Sequence, residues 1–127
     1  MKREIRTGRA PSPVGPYSQA VEVGNVLFLS GQIGIDPRTG NLVKDFTDQV
    51  KQVFRNVDEI LKEAGYGREN VVKVTLYLKD ISKFREVNAI YEEFFRDVNP
   101  KPARVTVGVK DLPLGADIEV EVVAVRV

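Results

Sequence analysis

Lys101-Pro102-Ala103-Arg104-Val105-Thr106-Val107 and, beyond the turn at Leu112-Pro113-Leu114-Gly115-Ala116, Asp117-Ile118-Glu119-Val120-Glu121 are the runs on which the reading of this chain turns. Both alternate apolar with polar residues, and a Pro/Gly turn separates them, which reads as a β-hairpin. Ala103, Val105, Val107 and Val109 share one face of the first strand, with Arg104, Thr106, Gly108 and Lys110 on the other. In the second strand Ile118, Val120, Val122 and Ala124 share a face, and Asp117, Glu119 and Glu121 open the opposite one. An arginine and several acids are thus expected on neighbouring strands otherwise built for burial.

Upstream, the period changes. Phe84, Val87, Asn88, Tyr91, Phe94 and Phe95 recur at helical spacing and predict a helix from Lys83 to Arg96, capped by Ser82 or Asp80. Asn88 is the odd member of that stripe. A buried amide needs a hydrogen-bond partner, so it either fixes a loop or lines a site. Val71 to Lys79 reads as a strand with Val72, Val74, Leu76 and Leu78 facing one way. Val50, Val53, Phe54, Val57, Ile60, Leu61 and Ala64 predict a helix from Thr47 to Ala64, with Asp45 or Thr47 before it and Gly65 after it. Tyr17–Val23 and Val26–Gln32 read as strands joined at Gly24-Asn25, followed by a turn at residues 36–40. The prolines and glycines of residues 1–16 predict an extended, turn-rich entry. The order predicts one α+β domain over residues 1–127, with helices on one sheet face. The other face would carry Tyr77, Thr75, Val123, Val125 and Val127, too apolar for water, so a closed homo-oligomer is expected.

Composition narrows the chemistry. The chain has no Cys, His or Trp. Thiolate nucleophiles, histidine-based triads and most zinc sites are therefore excluded. Carboxylates, Arg, Lys, Tyr, Ser/Thr and the backbone remain. A net charge of +1 without basic clusters argues against a nucleic-acid platform. No apolar run is long enough to span a bilayer, and Met1-Lys2-Arg3-Glu4 does not lead into a signal-peptide core, so the expected location is the cytoplasm.

Two readings stand for Arg104. Its planar fork suits a ligand carboxylate, or it pairs with Glu119 or Glu121 inside an interface. Glu119 and Glu121, about 7 Å apart on one strand face, would raise each other's pKa and could pass protons near neutrality, or they form a solvated acidic edge. With Lys110 opposite Ala116, hairpin parity would put Arg104 and Glu119 on opposite faces; a slip or bulge would unite them. Tyr17 and Ser30 can each orient a small polar ligand or anchor a turn.

Ala10 to Ala20 (Ala-Pro-x-x-x-Gly-Pro-Tyr-Ser-Gln-Ala), Leu29 to Gly34, Val87 to Phe95, Pro102 to Val107 and Leu112 to Glu121 together resemble the RidA family of reactive-intermediate deaminases. The resemblance spans essentially the whole chain. It implies a chorismate-mutase-like α+β sandwich, a mixed sheet of about six strands with two helices on one face, assembled as a homotrimer with sites between subunits. It also implies hydrolysis of 2-imino acids and their enamines, such as 2-iminobutanoate and 2-iminopropanoate, to 2-keto acids and ammonia, with no metal or organic cofactor. By the same resemblance Arg104 holds the substrate carboxylate and Glu119 activates water. Tyr17, Ser30, Asn88 and Thr106 line the substrate site, Thr106 standing where several relatives have cysteine. A non-catalytic 2-keto-acid-binding module and an RNA-cleaving translation inhibitor are the alternative readings.

Overall fold

The computed structural model describes residues 1–127. In chain order its elements are β1 (Lys2–Ile5), β2 (Ala20–Val23), β3 (Val26–Gln32), β4 (Ile35–Asp36), β5 (Asn41–Leu42), α1 (Phe46–Ala64), β6 (Val71–Leu78), α2 (Phe84–Phe94), β7 (Ala103–Gly108) and β8 (Ile118–Val125). Six strands form one mixed sheet in the order β1-β2-β3-β8-β6-β7, and β4 and β5 make a separate small hairpin. Only β6 and β7 pair in parallel, with α2 as the crossover between them. The helices lie on one face, α1 across β3 and β8 with α2 packed beside it.

The closing hairpin predicted above does not form. β6 lies between β7 and β8, pairing in parallel with the first and antiparallel with the second. Alternation fixes which side chains share a face but not which strand is the neighbour, and the turn at residues 113–115 connects two strands that are not adjacent. On β7 the polar set, not the apolar one, faces the helices. Arg104 and Thr106 stand opposite Val74 and Leu76, which are fully buried under the helices. Val105 and Val107 therefore project from the open face.

α1 forms for the reasons read in its pattern. Val50, Val53, Phe54, Val57, Ile60, Leu61 and Ala64 are all buried, each large member contributing about 1.5–3 kcal/mol through burial. The Asp45 carboxylate accepts from the Asp48 amide at the N-terminus, and Gly65 at φ 83° takes the left-handed turn that ends the helix. Asp80 accepts from the Ser82 amide and caps the short turn leading into α2. Two local departures occur. A bulge between Val71 and Lys73 leaves Val72 outside the core-facing set. The entry contains a true strand, β1, whose single core residue Ile5 gave little alternation to read.

The helix-covered face buries one charged corner. Glu22 accepts from the Tyr66 hydroxyl at 2.6 Å and Arg3 Nε at 3.0 Å, with Arg126 Nη2 at 3.4 Å. Those donors hold its carboxyl below the usual glutamate range, the Tyr66 bond contributing most and the Arg3 bond next. No helix is long and apolar enough to cross a membrane.

Candidate active site

On the open face a β-bulge between Leu29 and Gln32 interrupts the pairing of β3 with β8. Ser30 and Gly31 sit in that bulge, beside Glu119 of β8. A Cβ added to Gly31 would stand 2.6 Å from Glu119 Oε2, so only glycine lets the carboxylate occupy this place. Bulges re-aim strand residues, and here one makes room for an acid. The surrounding cleft, about 380 Å³, is walled by Tyr17, Ser30, Gly31, Ile33, Pro113 and Glu119.

Gln19 builds the wall that carries Tyr17. Its buried side-chain amide accepts from Thr7 N and donates to the carbonyls of Thr7, Ala10 and Pro11, tying the proline-rich entry to β2. Tyr17 Oη accepts from Val14 N at 3.2 Å, leaving its own proton available. Ser30 donates to Ser18 O at 2.6 Å, leaving its oxygen as an acceptor. Glu119 receives no hydrogen bond and has no ion-pair partner. Burial, and secondly the negative Glu121 nearby, push its carboxyl above the usual glutamate range. Glu121 itself accepts from the Tyr77 hydroxyl at 3.0 Å.

Arg104 is elsewhere. It lies on the helix-side face of the edge strand β7, where Nη1 donates to Asn88 Oδ1 at 2.7 Å. Its guanidinium carbon stands 4.8 Å from the Tyr91 ring centre and 5.2 Å from that of Phe84. It takes part in none of the chain's seven ion pairs. Asn88 is thereby explained, and Thr106 lies two residues along the same face of β7.

The candidate residues thus fall into two sets. Tyr17, Ser30 and Glu119 share the cleft on the open face; Asn88, Arg104 and Thr106 gather at the β7 edge under α2. One sheet separates them. The outcome agrees with the opposite-face case of the parity argument, although an intervening strand and not a hairpin register produces it. Gly31 and Gln19 were missed as site-building residues. The Gly in Leu29-Ser30-Gly31-Gln32 was the available signal for the first; nothing in the pattern marked the second. No three acidic side chains converge as a metal-ligand set would.

Comparison with known proteins bears on this arrangement. The family model described as Endoribonuclease L-PSP matches residues 7–126. The chain belongs to that family, the RutC/RidA proteins. A RutC family protein of Aquifex aeolicus is 66% identical over 124 residues, covering 98% of this chain and 99% of its own. A human RidA relative, named 2-iminobutanoate/2-iminopropanoate deaminase, is 46% identical and covers 99% of this chain and 91% of its own. The crystal structure of Escherichia coli TdcF with bound serine superposes with a TM-score of 0.94 at 36% identity, covering 98% of this chain and 99% of that one.

Proposed function

We propose that this RidA-family protein hydrolyses small 2-imino acids, of the 2-iminobutanoate and 2-iminopropanoate type, to 2-keto acids and ammonia. The observation that carries the reading is a matched pair of unfinished groups. Arg104 is a half-buried cation without a counter-ion, and Glu119 is a half-buried acid without a donor. Uncompensated charges in such places are costly unless a ligand or partner completes them.

Because the two groups face opposite ways, the complete site lies between subunits, with Arg104 of one copy meeting the Glu119 cleft of the next. Exposed Phe28, Val105 and Val107 on the open sheet face supply the apolar surface for that association. A closed ring of three copies satisfies every such face, in accord with the homotrimer the sequence resemblance implied. The relatives' names support the substrate class: one is named as this deaminase, and another holds an amino acid.

The chemistry needs little more than placement. Arg104 grips the carboxylate through two parallel hydrogen bonds and presents the C=N carbon to a water beside Glu119. On the protonated imine, the Glu119 carboxylate takes a proton from the water as its oxygen bonds to carbon and the C=N π pair moves to nitrogen, giving a neutral carbinolamine. It returns that proton to nitrogen; the C–N bond then breaks, ammonia leaves, and the hydroxyl proton passes to Glu119 as the carbonyl forms. A carboxyl with raised proton affinity suits these transfers. Tyr17 donates toward the new oxygen, and Ser30 offers an acceptor. Pure binding of a 2-keto acid would need Arg104 but no water-handling acid, so Glu119 favours turnover over an inert binder. RNA cleavage lacks comparable support, since the chain has no histidine and no basic cleft around Glu119.

The test couples an amino-acid oxidase, which releases the imine, to semicarbazide trapping. The protein is expected to hasten imine loss, and Arg104→Ala to abolish the effect by about 100-fold or more. Normal rates in Arg104→Ala, or a monomeric mass by light scattering, would defeat the reading.

A further inference from the structure

Arg104 sits on an edge strand, at the end of a side chain with four freely rotating bonds, yet the proposed chemistry needs its fork held in one orientation. Three residues of α2 surround it. Phe84, Asn88 and Tyr91 are spaced at i, i+4 and i+7 and so lie along one helix face. Asn88 accepts from Nη1 at 2.7 Å, while the two rings stand 5.2 and 4.8 Å from the guanidinium carbon. Cations over ring faces at these distances are attracted without being neutralised. This leaves the remaining N–H groups free for an incoming carboxylate.

Tyr91 is further fixed from behind, its ring 4.8 Å from Phe95 and 6.0 Å from Phe54, edge-on to the latter. Its hydroxyl is buried and has no hydrogen-bond partner. A buried, unpartnered hydroxyl contributes no stability, so what this position supplies to Arg104 is the ring.

We infer that Phe84 and Tyr91 are positioning residues for the substrate carboxylate: with Asn88 they form an aromatic clamp that orients the Arg104 guanidinium. The inference rests on the deaminase reading for its substrate, but the clamp itself is observable without one. It makes the spacing Phe84-x3-Asn88-x2-Tyr91 the sequence mark of the device. It also implies that lysine cannot replace Arg104, since an ammonium has neither the plane to lie against two rings nor the fork to meet a carboxylate.

The experiment compares wild type with Phe84→Leu, Tyr91→Leu and Tyr91→Phe, each checked for folding by thermal melting. Steady-state kinetics on 2-iminobutanoate and calorimetric titration with 2-oxobutanoate read the substrate side. Arginine-selective 15N–1H NMR reads the clamp directly, through the ring-current shift and slowed rotation at Arg104 Nε. Both leucine variants are expected to raise KM and weaken 2-oxobutanoate binding about tenfold, to leave kcat within about twofold, and to lose the Arg104 signature. Tyr91→Phe should restore affinity to within about threefold of wild type. Unchanged affinity and an unchanged signature in Phe84→Leu would overturn the clamp, as would a Tyr91→Leu defect that phenylalanine does not rescue. A kcat loss with unaltered KM would overturn it too. If Tyr91→Leu does not fold, Phe84→Leu decides. If wild type neither binds nor turns over these ligands, the deaminase reading fails, and the NMR comparison still judges the clamp.

Discussion

Two glutamates, one on each face of the same sheet, receive opposite treatment. Glu22 on β2 faces the helices and accepts from Tyr66, Arg3 and Arg126. Glu119 on β8 faces the open side, receives nothing, and has Glu121 for a neighbour. The first is held as an anion; the second is driven toward its neutral form. Side-chain identity is the same, so the difference lies in the donors the fold supplies. A carboxylate saturated with donors gives up its proton readily, whereas a starved one holds it to higher pH.

Glu119→Gln should separate the two most sharply. Activity on 2-iminobutanoate should fall by about 10²–10⁴-fold, with 2-oxobutanoate binding retained. Stability should move the other way. The folded state raises this group's pKa above its unfolded value, so its favourable contribution exists at low pH and disappears as pH rises through the folded pKa. At pH 7 the charged carboxylate costs stability, and the neutral amide should melt higher. A lower melting temperature at pH 7 would mean that Glu119 has donors of its own, and the contrast with Glu22 would collapse.

Gly31→Ala attacks the same acid without touching it. The added methyl would lie 2.6 Å from Oε2, so the carboxylate must turn away, and kcat should drop by about tenfold or more. Glu22→Gln is the mirror test: activity near wild type and a lower melting temperature at pH 7. Glu22's pKa is lowered in the fold, so its contribution is present above the unfolded value and lost as pH falls through the folded one. The gap between wild type and Glu22→Gln should therefore narrow as pH drops below 4.5, the ordinary value for this group. The smallest effect belongs to Glu121→Gln. Removing that negative charge should lower the proton affinity of Glu119 and move the acid limb of the kcat/KM profile to lower pH; an unmoved limb would leave burial as the only cause.

Much of this was readable in advance, for particular reasons. α1 combines a complete apolar stripe with an Asp and a Gly at its ends, so periodicity and capping agree. Asn88 stood out because an amide interrupted an apolar face, and the structure gives it Arg104 as partner. The β7–β8 relation was not readable. Both strands alternate, and a turn does separate them, but strand order depends on where α2 returns the chain, and β6 takes the place between them. The bulges at Ser30-Gly31 and near Val72 escaped notice because one unpaired residue leaves no mark on composition. The two-sided placement of Arg104 and Glu119 follows from that strand order, because β6 pairs Arg104 with Val74 on one face and Glu119 with Tyr77 on the other.

That placement has a genetic corollary. In the proposed ring, each reaction centre borrows its cation from one polypeptide and its acid from the next. A chain crippled at position 104 still offers a sound acid, and one crippled at 119 still offers a sound cation. Two inactive alleles expressed in one cell can therefore mend each other at some of the junctions where they meet.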